Sequence, residues 1–329
     1  MAMGAGYLWS RLANYRSPVA RVDPSVSVHD YRFEPLLGTV VDLKLWGVDD
    51  ALADVTADAV VGEISRLEHV FSVFDATSEL CRWRSGEIDQ PGAELRPLLE
   101  LSLRWMAVGR GAYNPSVGVL MQRWSEAARI GVVPERSEMV TMADRLRDCP
   151  YVIDEDGSVH RRGDCRHLTF NAIAKGLIVD RAVDVAMTVT GMRAVMVNAG
   201  GDLRHRGMGT IAVGIEDPRQ PHDNIAPMMV VDLGDAALAT SGSARRGVRV
   251  GERWFGHVLD PRTGWPVEHL ASASVVAPDA VTADVLATIV SVLEPDEAIE
   301  FIDSIDDDAA CVLIGTDGHT RRSARWTER

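Results

Sequence analysis

Apolar and polar positions alternate from Thr39 to Trp46 (TVVDLKLW), which predicts a strand. Immediately after it, residues 51–71 change to helical spacing, with Val60, Ile64 and Leu67 on one stripe. A second helix is expected over 95–109. Asn114-Pro115 then breaks the chain before a helical stretch at 117–128. In the second half, 171–189 reads as a long helix and 194–197 as a strand that runs into the turn Asn198-Ala199-Gly200-Gly201-Asp202. Further strands are expected at 210–215, 228–233, 237–240 and 254–259. No period of 20 to 50 residues recurs, which disfavours a solenoid or propeller. The mixture predicts an α+β fold with mostly antiparallel sheets and packed helices, in a single domain over 29–329. Residues 1–28 lack periodicity and read as an N-terminal extension.

The segment 274–293, SVVAPDAVTADVLATIVSVL, predicts a strand, a Pro-Asp turn and an amphipathic helix. Side chains four apart stack on one helix face, so Asp284 and Thr288 present a carboxylate and a hydroxyl to one point. Two hard oxygen donors suit Mg²⁺, which keeps several waters and leaves positions to a phosphate-bearing ligand. A second account is open: the helix dipole favours an early Asp, and a helical Thr bonds back to a carbonyl.

Composition narrows the partners. The 329 residues are 46% hydrophobic and carry a net charge of −14, which argues against a duplex-binding surface and requires a local metal or basic pocket for any anion. Cys81, Cys149, Cys165 and Cys311 are widely spaced and read as reduced thiols. No signal peptide or membrane-spanning run is apparent, so the expected location is cytoplasmic, with no stable membrane insertion. The signatures of P-loop ATPases, Rossmann dehydrogenases, α/β-hydrolases and zincins are absent.

Taken in order, FSVFDATSEL (71–80), NPSVGVL (114–120), IAKGLIVD (173–180), VNAGGD (197–202), VGIEDPR (213–219), ATSG (239–242), HVLDPRTG (257–264) and AVTADVLAT (280–288) resemble the signature of the ApbE family, the FAD:protein FMN transferases. The resemblance covers roughly residues 34 to 315. It implies an ApbE-like (T-fold-like) domain that uses FAD as substrate and Mg²⁺ as cofactor. FMN would pass to a Ser or Thr hydroxyl of an acceptor flavoprotein, releasing AMP. It also implies metal ligands at Asp284, Thr288 and the backbone carbonyl of Ala174, and places His257 at the active site.

Each remaining candidate has a functional and a plain reading. His257 is a general base for the incoming hydroxyl, or a loop histidine that holds Asp260. Gly200 and Gly201 let the backbone approach a ligand, with Asn198 and Asp202 beside them, or they form a tight turn needing positive φ. Lys175, near a helix start, faces an anion such as phosphate or Asp180, or is solvated. Phe74 stacks on the isoalloxazine or sits in the core. Thr240 and Thr263 offer hydroxyls to the cofactor or serve turns.

Three departures from the family pattern concern the flavin pocket. Thr169-Phe170-Asn171-Ala172 stands where the family reads D-L-G-G, Leu37 replaces a methionine before Gly38-Thr39, and Asn114 replaces an aspartate. Besides FMN transfer, two alternatives therefore stay open: hydrolysis of FAD to FMN and AMP, and non-catalytic flavin binding.

Overall fold

The computed structural model describes residues 10–11, 26–220, 226–243, 246–305 and 308–328. Most of the 1–28 extension lies outside the described residues. Of it, Ser10–Arg11 pairs with Arg32 and Tyr31 at the sheet edge, and Val28 already belongs to the strand Val28–Leu36.

Nine strands form one sheet. Its order is Ser10–Arg11, Val28–Leu36, Thr39–Trp46, Ala194–Ala199, Asp202–Gly207, Ala236–Gly242, Leu270–Ala277, Ala310–Gly315 and Thr320–Arg322, antiparallel throughout. Antiparallel pairing lets one face take an α layer while the other takes a smaller cover. The α layer consists of Asp50–Phe71, Asn171–Met187 and Ala280–Val292, whose apolar faces enclose the main core with Leu43, Val197, Ala239 and Val275. On the opposite face the hairpin Ile211–Ile215/Met229–Leu233 closes over Trp46, Met196 and Leu238.

A third cluster lies beside these layers. Trp124, on the helix Gly118–Ile130, packs at 4.7 Å from the Phe255 ring and 5.0 Å from the Trp265 ring, and its indole N–H donates to Gly264 O at 2.9 Å. This bond pins the turn that follows His257.

The α+β reading with antiparallel sheets is borne out. The helix expected at 51–71 runs Asp50–Phe71, because the Asp49 carboxylate accepts from Leu52 N at 2.9 Å and caps it one residue earlier. The strand expected at 254–259 is only Arg253–Gly256, since Asp260 starts a turn held by its own carboxylate. Its partner Gly247–Val250 had no expected counterpart.

Candidate active site

Two helices with more than a hundred residues between their starts build the centre. Gly176, in Asn171–Met187, makes their contact possible: a Cβ there would lie 2.3 Å from Ala280 O and 2.6 Å from Val281 Cα. These are backbone atoms and cannot turn aside. Gly176→Ala should therefore force the helices apart, costing about 1–3 kcal/mol and losing activity disproportionately. Thermal unfolding alongside activity checks this, and unchanged values for both would contradict the close approach.

The helix bearing Asp284 is fixed at both ends. Asp279 caps it by accepting from Thr282 N at 2.8 Å, and Asp180 reaches from the neighbouring helix to accept from Ala280 N and Val281 N, both at 2.9 Å. Burial pushes the Asp180 carboxyl up to about 6, against the opposing pull of those two N–H groups. At the other end the Arg262 guanidinium grips Asp260 at 2.9 and 3.1 Å and extends to Val292 O at 3.4 Å, while His269 Nε2 donates to Leu293 O at 3.0 Å. These bonds tie the turn after His257 to the end of the Asp284 helix.

Asp284 Oδ2 accepts from Gly176 N at 3.2 Å. This bond brings the first turns of the helix Asn171–Met187, which carries Ala174, against Asp284. Burial first, and the Asp202 carboxylate second, drive the Asp284 carboxyl well above its usual range, opposed by Lys175, Gly176 N–H and Arg246. Asp202 is raised too, again mainly by burial, although Lys175 Nζ sits 2.6 Å from its Oδ2. Two buried carboxylates thus share one lysine, an arrangement that favours a further positive charge. The Thr288 hydroxyl makes no hydrogen bond among the described residues, whereas Ser291 on the same helix bonds back to Ala287 O at 2.7 Å. The expected alternative, a back-bonded Thr288, does not occur. Among the described residues no three His, Cys, Asp or Glu side chains cluster as metal ligands. The Asp284 carboxylate and the Thr288 hydroxyl, one helical turn apart, are nonetheless hard oxygen donors compatible with Mg²⁺.

His257 follows the strand Arg253–Gly256, and both its N–H and its Nδ1 engage Arg246 O, at 3.1 and 3.3 Å. A carbonyl only accepts, so Nδ1 carries the proton and Nε2 keeps a lone pair. Burial lowers the imidazole pKa, with Arg246 and Lys175 also disfavouring its charge. His257 is therefore neutral at pH 7 and can accept a proton at Nε2. Arg246 acts on His257, Asp202 and Asp284 alike, and sequence reasoning did not single it out. Its only signal was position, eleven residues before His257.

The other candidates fall in turns and strands around this centre. Gly200 and Gly201, with φ of 60° and 105°, form a two-residue hairpin between Ala199 and Asp202, and Gly201 N donates to Asn198 Oδ1 at 3.1 Å. A Cβ on Gly200 would meet Thr39 Oγ1 at 2.4 Å. Thr240 Oγ1 pairs across strands with Ser274 Oγ at 2.7 Å, and Thr263 Oγ1 accepts from Trp265 N at 3.2 Å. Phe74 is 92% exposed, which overturns its reading as a core residue. Asn114 accepts from Ser116 N at 2.8 Å and donates to Leu146 O at 2.7 Å, a donation that an aspartate could not make when ionised. A cavity of about 820 Å³, lined by Ser116, Tyr151, Arg162 and His167 among others, includes none of the candidates singled out from sequence.

The ApbE family pattern matches residues 37–313, spanning both helices, the glycine hairpin and the His257 turn. The chain belongs to the ApbE family. It is 27% identical to an FAD:protein FMN transferase of Klebsiella pneumoniae, over 81% of this chain and 79% of that one, and 27% identical to another of Haemophilus influenzae, over 85% of each. The ApbE protein of Thermotoga maritima has the same fold, with a TM-score of 0.77 at 24% identity over 91% of this chain and 97% of that one. These similarities bear out the family resemblance and the ApbE-like fold.

Proposed function

We propose that this ApbE-family chain is an FAD:protein FMN transferase that moves FMN from FAD to a Ser or Thr hydroxyl of an acceptor flavoprotein and releases AMP. The observation that carries this reading is the joining of two features: a buried oxygen-donor cluster and a neutral histidine with a free Nε2. Asp284, Thr288 and the backbone carbonyl of Ala174 would hold Mg²⁺. When bound, that ion would draw charge from the diphosphate oxygens of FAD as the bridging bond breaks.

The chain's own groups account for the rest. His257 Nε2 takes the proton from the acceptor hydroxyl as its oxygen bonds to the FMN phosphorus. The bond from that phosphorus to the bridging oxygen breaks, and AMP leaves with the electron pair. Lys175, held by Asp202, supplies a fixed positive charge beside the reacting phosphates without reorganising. Phe74 gives the isoalloxazine an uncovered ring on which to stack. The positive φ values at Gly200 and Gly201 and the Asn198 bond shape a turn beside Asp202, close to where the nucleotide would lie. Thr240 follows Ala239, the strand partner of Asp202, Thr263 lies in the turn after His257, and Asp180 acts through the helix it caps.

The altered 169–172 segment does not remove this machinery. The helix still starts at Asn171, and Gly176 still reaches Asp284. This favours transfer over passive flavin storage. The test is incubation with FAD, Mg²⁺ and a Ser/Thr-bearing acceptor flavoprotein, followed by flavin fluorescence on a denaturing gel. A labelled acceptor is expected; bound but intact FAD would contradict the proposal.

A further inference from the structure

The hairpin Gly247–Val250/Arg253–Gly256 forms a two-stranded sheet of its own, separate from the nine-stranded one. Val250 and Phe255 anchor one face in the cluster with Leu120, Trp124 and Trp265. Arg249 lies opposite Trp254 on the other face, by the alternation of strand side chains. Trp254 is 46% exposed yet held in place: its indole N–H donates to Ser243 O at 3.0 Å, and its ring covers Gly247 so closely that a Cβ there would meet it at 2.8 Å. A pinned, exposed tryptophan costs little entropy when it binds a partner.

Charge sets this hairpin apart. Residues 246–256 carry Arg246, Arg249 and Arg253 against the single carboxylate of Glu252, in a chain whose net charge is −14. Arg253 lies on the anchored face over the Phe255 ring and pairs with Glu268 at 3.5 Å, which leaves Arg249 beside Trp254 on the outer face and Arg246 at the base. Among the described residues Arg249 bonds only a backbone carbonyl, Glu252 O at 3.2 Å, and Arg246 has no direct side-chain ion pair, its charge falling on the Asp202 and Asp284 carboxylates from a distance. The base of the hairpin runs into the candidate catalytic centre, since His257 N donates to Arg246 O at 3.1 Å.

We infer that this hairpin is the docking surface for the acceptor protein, and that the segment it receives is extended, acidic and carries the Ser or Thr to be modified. The inference rests on the transferase reading. Charge complementarity selects an acidic partner, and continuity with His257 brings a hydroxyl on that partner to the base.

The test uses the full chain and two fluorescein-labelled peptides, each with one Thr, flanked by aspartates in one and by lysines in the other. Fluorescence anisotropy should show the acidic peptide binding at least about tenfold tighter, with Trp254→Ala weakening it about tenfold and Arg249→Glu removing the preference. Equal binding of the two peptides, including none, would overturn the inference. So would binding that neither variant changes, or a loss in Arg249→Glu confined to FAD affinity, which would assign the arginine to the nucleotide. Acidic-peptide docking without FMN transfer would leave the surface standing and sink the transferase reading instead.

Discussion

Asp284→Asn should reduce FMN transfer on the order of 10²–10³-fold while leaving the fold intact. Asparagine keeps the size of the carboxylate and can still accept from Gly176 N, so the helix contact survives. What is lost is the negative charge that would hold a divalent ion. Because burial and Asp202 already penalise that charge, the substitution should raise thermal stability slightly or leave it unchanged. The sign follows from the raised carboxyl: a group whose folded pKa lies above its unfolded value costs stability once pH rises through the folded value. Activity as a function of Mg²⁺ concentration, set beside a melting curve, checks both parts. Unchanged Mg²⁺ dependence would remove Asp284 from the site.

His257→Ala should lower kcat on the order of 10²–10⁴-fold, with a much smaller effect on FAD affinity. The wild-type pH profile carries a second signature. The imidazole must be neutral to accept a proton, and burial lowers its pKa from 6.5, so kcat should climb with pH through a midpoint below 6.5. His257→Ala should abolish that limb. A variant that loses FAD binding but keeps its pH profile would make His257 a binding residue.

The sequence conveyed those parts of the site that depend on local spacing. Asp284 and Thr288 lie one helical turn apart behind a Pro-Asp turn, and that is visible in the chain itself. Gly200-Gly201 announces a hairpin for a similar reason. What escaped depends on partners far away in sequence. Gly176 reads as an ordinary helical glycine until Ala280 is found against it. Asp180 reads as an anion for Lys175 until its two oxygens are seen to cap a helix a hundred residues on, while Lys175 pairs with Asp202. Arg246 gains its place only because its carbonyl orients His257. The strand Gly247–Val250 was missed because four residues, with Val248 and Val250 as the apolar positions, are too few to establish a period.

Exposure was the hardest property to read. Phe74 sits between Val73 and Asp75, a context that fits a buried ring as well as a displayed one. The Ser72 hydroxyl accepts from Phe74 N and Asp75 N at 3.2 and 3.1 Å, shaping a turn that holds the ring outward. Asn114 was likewise ambiguous as a departure from the family pattern. Its side-chain amide donates to Leu146 O, so the neutral residue has a structural use of its own.

The central claim is that the phosphoryl group leaving AMP ends on a protein hydroxyl and not on water. The most direct measurement is the ratio of AMP released to FMN covalently bound to the acceptor, taken in one reaction with Mg²⁺. The account predicts that the two rise together in equal amounts. AMP accompanied by free FMN, with the acceptor unlabelled, would contradict it and make the protein a hydrolase.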